Sequence, residues 1–109
     1  MFKLETDPTF THTVTAMVPI DGGYEKQSFK VTYGVIDYEE FEKLDLNTRA
    51  DSDTFLKRIV RRLDDIAGAD GEPLPYSDQV RDGVLKRSWA RSAIVRGYFE
   101  AIGKAATGN

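Results

Sequence analysis

The sequence predicts an α+β fold in which an N-terminal antiparallel β-hairpin, at about residues 10–35, is covered by about four C-terminal helices. Apolar and polar residues alternate along the first third of the chain, as they do in half-buried strands. After residue 36 the apolar residues recur at the three- and four-residue spacing of helices. Because two strands alone are only marginally stable in water, we expect the helices to cover the apolar face of the hairpin.

The hairpin is predicted from two alternating runs that a turn connects. Pro19 ends the first strand, and Asp21-Gly22-Gly23 supplies residues that tolerate a positive φ in the turn. Phe2 and Leu4 suggest a short third strand. The apolar positions of the two runs are Phe10, His12, Val14, Ala16 and Val18, then Phe29, Val31, Tyr33 and Val35.

Two amphipathic helices are predicted next. Asp37 and Glu40 resemble a capping box, which would open a short helix through Phe41 and Leu44. Asp51-Ser52-Asp53 offers several N-caps for a second helix. Its apolar face would comprise Phe55, Leu56, Ile59, Val60, Leu63, Ile66 and Ala67. Its opposite, basic face would comprise Lys57, Arg58, Arg61 and Arg62.

Residues 68–75, GADGEPLP, predict a turn-rich loop. Ser77 is the expected N-cap of a third helix, and a last helix is predicted from about Ser88 to Ala105, followed by a frayed end at Thr107–Asn109. In the third helix, the side chains expected to face inward are Val80, Val84 and Leu85.

The last helix is apolar around more of its circumference than one buried stripe requires, so we expect the surplus to contact another chain. Val95 and Phe99 lie one turn apart and beside arginines, a pattern typical of a helix-in-groove or oligomer contact. The predicted partner-binding residues are Arg91, Val95, Arg96, Phe99 and Ile102. The predicted core anchors are Trp89, Tyr98 and Leu63.

Composition and charge narrow the class of protein. The length fits a single domain over residues 1–109, and the chain has no cysteine. The net charge of −3 argues against general nucleic-acid binding. The N-terminal half is acidic and the C-terminal half is basic, and we interpret these charges as solvated surface rather than as a sign of head-to-tail association. The N-terminus does not resemble a signal peptide and no apolar run could span a membrane, so we expect a soluble intracellular protein.

No residue pattern predicts catalysis, a metal site or a cofactor. The one histidine, His12, has no partner in the sequence for acid–base or nucleophilic chemistry. Glu39, Glu40 and Glu42 lie near the start of a predicted helix, where the helix dipole stabilises acidic side chains. The sequence contains no glycine-rich phosphate-binding motif. We therefore expect a protein that is not an enzyme, has no catalytic residues and binds no cofactor or metal.

Four segments in one order carry a resemblance to a known family. A Phe/Thr/Val-rich opening leads to the Asp-Gly-Gly turn and a strand ending in FKVTYGVI, after which come an acidic helix and LKRIVRRLDDI. The most specific segments are DGEPLPYS at residues 70–77 and AIVRGYFEA at residues 93–101, with a final Gly-Asn. Together these segments resemble the tail assembly chaperones of long-tailed bacteriophages. Relatives often carry Gly-Trp where this chain has Arg62-Leu63.

The resemblance implies a non-catalytic protein of the host cytoplasm that is absent from the mature virion. Such proteins bind the tape measure protein, keep it soluble and promote polymerisation of the tail tube protein around it. The partners implied are therefore the tape measure protein and the tail tube protein, and a homo-oligomer is possible. The family also commonly makes a longer form by −1 frameshifting, and Thr107-Gly108-Asn109, if encoded as ACG GGA AAC, would contain the slippery heptamer G GGA AAC.

Two other classes of function are considered. The first is a structural virion protein of the tail or connector. Tail tube proteins usually contain a larger β-sandwich, so one hairpin with four helices has too few strands for that class. The second is a nucleic-acid-binding regulator that uses the basic face of the second helix, where four cations could contact phosphates.

Overall fold

The computed structural model describes residues 1–4 and 7–103 of the chain. The predicted helix end near Ala105, the frayed end and the frameshift codons lie outside the described residues. The elements in chain order are β1 (Thr9–Ile20), β2 (Gly23–Gly34), α1 (Tyr38–Glu42), α2 (Arg49–Ile59), β3 (Val60–Asp64), β4 (Ile66–Ala67), β5 (Pro73–Leu74), α3 (Asp78–Leu85) and α4 (Ser88–Gly103). The α+β class is therefore confirmed, with a three-stranded antiparallel sheet in place of a lone hairpin.

The predicted hairpin forms β1 and β2, which pair antiparallel from Thr9 opposite Gly34 to Ile20 opposite Gly23. The turn between them is Asp21-Gly22, and Gly22 has a φ of 76°, where a residue without a Cβ is favoured. The end of the hairpin at the turn, residues 19–28, is exposed, whereas the rest of the hairpin carries its buried residues, from Val14 and Ala16 of β1 to Gly34 of β2. The hairpin therefore projects beyond the helices that cover it.

The third strand of the sheet is β3, and its position overturns two predictions. Phe2 and Leu4 are exposed and lie outside any strand. The helix predicted to continue through residue 67 ends at Ile59, and the chain passes directly into a strand that pairs antiparallel with β2. The predicted four-cation face on one helix is therefore wrong, because Arg61 and Arg62 belong to a strand.

A β-bulge explains why β3 resembles a helix in sequence. Thr32 lies opposite Arg62, but Tyr33 lies opposite Val60, so Arg61 is an extra residue on β3. Because of the extra residue, Val60 and Leu63 face the same side of the sheet although they lie three positions apart. Both are buried. Apolar residues three apart on one face are also what a helix predicts, so spacing alone cannot separate the two structures.

The observed helix starts differ in part from those predicted. Asp37 precedes α1 without a side-chain capping bond, and Glu40 pairs instead with Arg58 of α2 at 2.9 Å. Thr48, rather than the Asp51-Ser52-Asp53 segment, caps α2. Ser77 caps α3 as predicted, with its Oγ accepting from the Val80 N–H at 3.1 Å, and α4 begins at Ser88 as predicted.

One buried cluster lies between the sheet and the helices. The sheet contributes the inward residues of all three strands, and α2 and α4 contribute most of the rest. The members are Val14, Ala16, Phe29, Val31, Tyr33, Ile36, Phe55, Leu56, Ile59, Val60, Leu63, Leu85, Ala90, Ala93, Ile94 and Tyr98. The loop predicted at residues 68–75 is closed by the short pair β4–β5, with Ile66 opposite Leu74.

Candidate partner-binding surface

Two buried tyrosines fix the rotation of α4 about its axis. Tyr33 Oη of β2 donates to the Ile94 carbonyl at 2.7 Å, and Tyr98 Oη accepts from the Ile36 N–H at 3.2 Å. Both rings are almost completely buried, and their centroids lie 5.7 Å apart. Because these bonds join α4 to β2 and to the segment after it, they determine which α4 side chains face outward.

Gly97 lets α4 approach the sheet closely. A Cβ at this position would lie 2.6 Å from Val14 Cγ1 and 2.7 Å from Tyr33 Oη, both shorter than real Cβ atoms allow. The close approach brings the small residues Ala90 and Ala93 into the core. The apolar residues on the other side of α4 are correspondingly left at the surface or half-buried.

The apolar residues left outside form a strip along α4. Phe99 is 38% exposed and Ile102 is 47% exposed, and Val95 is half-buried one turn before Phe99. Residues three and four apart on a helix are neighbours, so the three side chains make one continuous strip. We call Val95, Phe99 and Ile102, with the adjoining Phe41 of α1, the α4 patch.

Aromatic stacking holds the centre of the α4 patch in place. The ring of Phe99 lies parallel to the buried ring of Phe55, with centroids 5.8 Å apart. The half-buried Phe41 meets Phe99 edge-on at 5.9 Å. The outer surface of Phe99 is therefore presented by a pre-ordered ring rather than by a freely rotating side chain, which lowers the entropy lost when a partner binds.

Arg91, a predicted partner-binding residue, bonds within the chain. Its guanidinium donates to Asp53 Oδ1 at 2.6 Å, to Ser52 Oγ at 2.8 Å and to the Leu85 carbonyl at 3.0 Å. The hydrogen bond from Arg91 lowers the pKa of the Asp53 carboxyl below its usual value. Arg91 thus connects α4 to α2 and to the end of α3.

Arg96, the second predicted arginine, is exposed but also bonds within the chain. Its guanidinium donates to the Thr15 carbonyl of β1 at 3.1 Å. The two arginines therefore leave α4 on opposite sides of the helix, one toward α2 and one toward β1. A helical projection of the sequence places them beside the apolar strip but cannot show these acceptors.

The predicted core anchors occupy two kinds of environment. Tyr98 and Leu63 are each 1% exposed and belong to the buried cluster. Trp89 is half-buried in the first turn of α4 and packs against that cluster from outside. It lines an open, largely apolar groove of about 650 Å³ between the hairpin and α3.

This groove is a surface that the sequence reasoning missed. Its walls come from Ala16, Val18 and residues 27–29 of the hairpin, the β4–β5 region, α3 and the start of α4. The apolar residues that line it include Val18, Phe29, Leu74, Val80, Val84 and Trp89. No local sequence signal could reveal it, because the lining residues are brought together only by the fold.

The basic residues proposed for nucleic-acid contact are divided among separate ion pairs. Arg58 pairs with Glu40, Arg61 with Asp7 and Arg62 with Asp64, each at 2.9 Å. Lys57 is exposed on α2. The structure therefore does not present the continuous cationic face on which that alternative depended.

His12 is exposed on β1, and its ring meets Phe10 edge-on at 5.4 Å. Among residues 1–4 and 7–103, no group of three or more histidine or acidic side chains could hold a metal ion. Within the same residues, no helix is both long and apolar enough to cross a membrane.

Comparisons of this chain with protein-family models, with curated proteins and with solved structures find no match.

Proposed function

We propose that this protein is a non-catalytic assembly chaperone of a long-tailed bacteriophage, which binds the tape measure protein in the host cytoplasm and promotes assembly of the tail tube. The observation that carries the proposal is the α4 patch, where Phe99 and Ile102 remain exposed on an otherwise well-packed helix. The resemblance of residues 70–77 and 93–101 to such chaperones supports the same function.

The chemistry of the patch suits a long helical client. An apolar strip along one helix, held rigid by stacked rings beneath it, matches the apolar face of an amphipathic helix in a partner. One such contact is small and therefore weak, but a tape measure protein offers many similar helical segments along its length. Many copies bound side by side would cover surface that otherwise aggregates.

The proposal predicts that a charge on the patch abolishes client binding. The chain is co-expressed with the tape measure protein that the proposal requires in the same genome, and soluble tape measure protein is measured after centrifugation. Wild type is expected to keep the client soluble and to co-purify with it. Ile102→Asp is expected to lose both properties while the domain stays folded, because Ile102 is about half exposed. Phe99→Asp is expected to behave similarly, with some loss of stability from the broken stack on Phe55.

A matched control uses another exposed aromatic residue. Tyr24 is 56% exposed near the hairpin turn, so Tyr24→Asp adds the same charge far along the chain from α4. It is expected to solubilise the tape measure protein as well as wild type does. The proposed function would be contradicted if Ile102→Asp kept the tape measure protein as soluble as wild type does. Detection of this chain in purified mature particles would also contradict it.

A further inference from the structure

The two outer edges of the β1–β2–β3 sheet differ in chemistry. The β3 edge is short, carries Arg61, Arg62 and Asp64 among its five residues, and contains the bulge. Short length, charge and bulges are the features by which natural proteins prevent an edge strand from pairing with another chain. The β3 edge is therefore protected.

The β1 edge lacks most of these protective features. Its 12 residues, TFTHTVTAMVPI, include no lysine, arginine, aspartate or glutamate. Threonine and valine, which favour strands, fill half of it, and the one proline lies near the turn at Pro19. Such a long, uncharged strand at a sheet edge is a template for pairing with a further strand.

The register of the hairpin shows which backbone groups face outward along β1. The two-residue turn makes Ile20 and Gly23 the closing pair, so alternate residues from Ile20 backward bond to β2. The intervening residues, among them Thr9, Thr11 and Thr13, direct their N–H and C=O groups away from β2. Thr15 shares this parity, and its carbonyl accepts from Arg96 as an outward group should.

The outward groups before Thr15 are available. Thr9, Thr11 and Thr13 are exposed, and within the described part of the chain no backbone group of another element bonds to them. The contact from Arg96 lies beyond this segment. Pairing of Thr9–Thr13 with another strand would therefore not require the bond between Arg96 and Thr15 to break.

We infer that the Thr9–Thr13 segment of β1 pairs antiparallel with the same segment of a second copy, with Thr11 opposite Thr11 across a twofold axis. In this register Thr9 lies opposite Thr13 and Phe10 opposite His12, so no lysine, arginine, aspartate or glutamate lies within the seam to oppose pairing. By contrast, β2 carries Glu25, Lys26 and Lys30. A second copy of β1 is thus the occupant that the edge fits, and its two sheets would become one.

The test compares two variants at the central position. Thr11→Pro removes the outward N–H that pairing needs but that the hairpin does not use, and Pro19 already occupies a position of the same parity. Thr11→Val is the matched control, since both variants lose the hydroxyl bond between Thr11 and Thr32. Sedimentation equilibrium is expected to show a concentration-dependent dimer for wild type and Thr11→Val, and loss of that dimer for Thr11→Pro.

Amide exchange in the wild-type chain tests the same inference without any substitution. The amides of Thr9, Thr11 and Thr13 are expected to gain protection as concentration rises, while those of Phe10 and His12, which bond to β2, stay protected throughout. A monomer at every concentration overturns the inference, as does a dimer whose threonine amides stay unprotected. Protection that is independent of concentration also overturns it. Ile102→Asp is expected to leave this dimer intact, so the inference and the proposed function fail separately.

Discussion

At the scale of single residues, Gly97 determines how close α4 comes to the sheet. A methyl group there would overlap Val14 and the Tyr33 hydroxyl, so the helix or the tyrosine must move. We expect Gly97→Ala to lower the free energy of unfolding by about 1–3 kcal/mol, the usual cost of overpacking a core. Urea unfolding measures the change.

Gly83 provides the control for that substitution. It lies inside α3, and a Cβ added there would meet nothing within 4 Å. Gly83→Ala is expected to raise the free energy of unfolding by about 0.5–1 kcal/mol, because alanine favours a helix over glycine. Equal stabilities of the two variants would mean that α4 does not pack on the sheet as described.

The Tyr33 hydroxyl makes stability sensitive to alkaline pH. Burial raises the pKa of Tyr33 above its ordinary value, and the nearby Glu100 carboxylate raises it further. The fold therefore favours the neutral phenol. This contribution is complete below about pH 10, the ordinary pKa of tyrosine, and is lost as pH rises toward the higher folded pKa.

Tyr33→Phe tests this dependence. The variant loses the hydrogen bond to the Ile94 carbonyl, which we expect to cost about 1 kcal/mol at neutral pH. It should also lose less stability than wild type between pH 9 and about pH 11, as measured by urea unfolding at each pH. Parallel declines of the two proteins across that range would contradict the assignment.

At the scale of elements, Arg91 is the main polar connection between α2 and α4. It is about three-quarters buried and makes three hydrogen bonds, one of them to the Asp53 carboxylate. Arg91→Met leaves that carboxylate without this partner, and we expect a loss of about 2 kcal/mol in the free energy of unfolding. Arg49 also pairs with Asp53, but at 3.8 Å and with a 91% exposed side chain. Arg49→Met is therefore expected to change stability little.

Acid titration gives a second measurement of the same connection. Because the Arg91 hydrogen bond lowers the Asp53 pKa in the folded state, the stabilisation is present above about pH 4, the ordinary aspartate pKa. It is lost as pH falls through the lower folded pKa. Arg91→Met should flatten this acid dependence relative to Arg49→Met, and equal slopes for the two variants would contradict the role given to Arg91.

The elements that could be predicted are those with local signals. Alternation and an Asp-Gly turn predict the hairpin, and Ser77 predicts the start of α3 through its own side chain. The β3 strand could not be predicted, because the bulge at Arg61 gives a strand the apolar spacing of a helix. Whether Val60 continues a helix or begins a strand depends on pairing with Tyr33, which lies far away in the sequence.

At the scale of the whole molecule, the candidate surface could be predicted only in part. The excess of apolar residues on α4 indicates a surface, and Phe99 and Ile102 are indeed exposed. The sequence predicts that the arginines beside them bind a partner, because a helical projection shows no neighbouring elements. In the fold both arginines bond to other elements of the chain. The apolar groove beside Trp89 is wholly a product of tertiary structure.

Two exposed features, on different elements, carry the two contacts proposed for this protein. We propose the α4 patch as the contact for a client helix and the uncharged edge of β1 as the contact for a second copy. Because Thr11 lies on the sheet and Ile102 near the end of α4, both contacts can be tested one at a time in the same protein. A dimer would present two α4 patches and so increase avidity for a client with repeated segments.

The most direct test of the α4 patch is hydrogen–deuterium exchange of this chain, alone and mixed with its proposed client, the tape measure protein that the proposed function requires in the same genome. We expect binding to slow exchange in α4 around residues 95–102 and in α1 around Phe41, with the turn at residues 21–22 unchanged. A complex that protects other segments and leaves α4 unaffected, or the absence of any complex, would contradict the claim that the exposed strip on α4 is the client-binding surface.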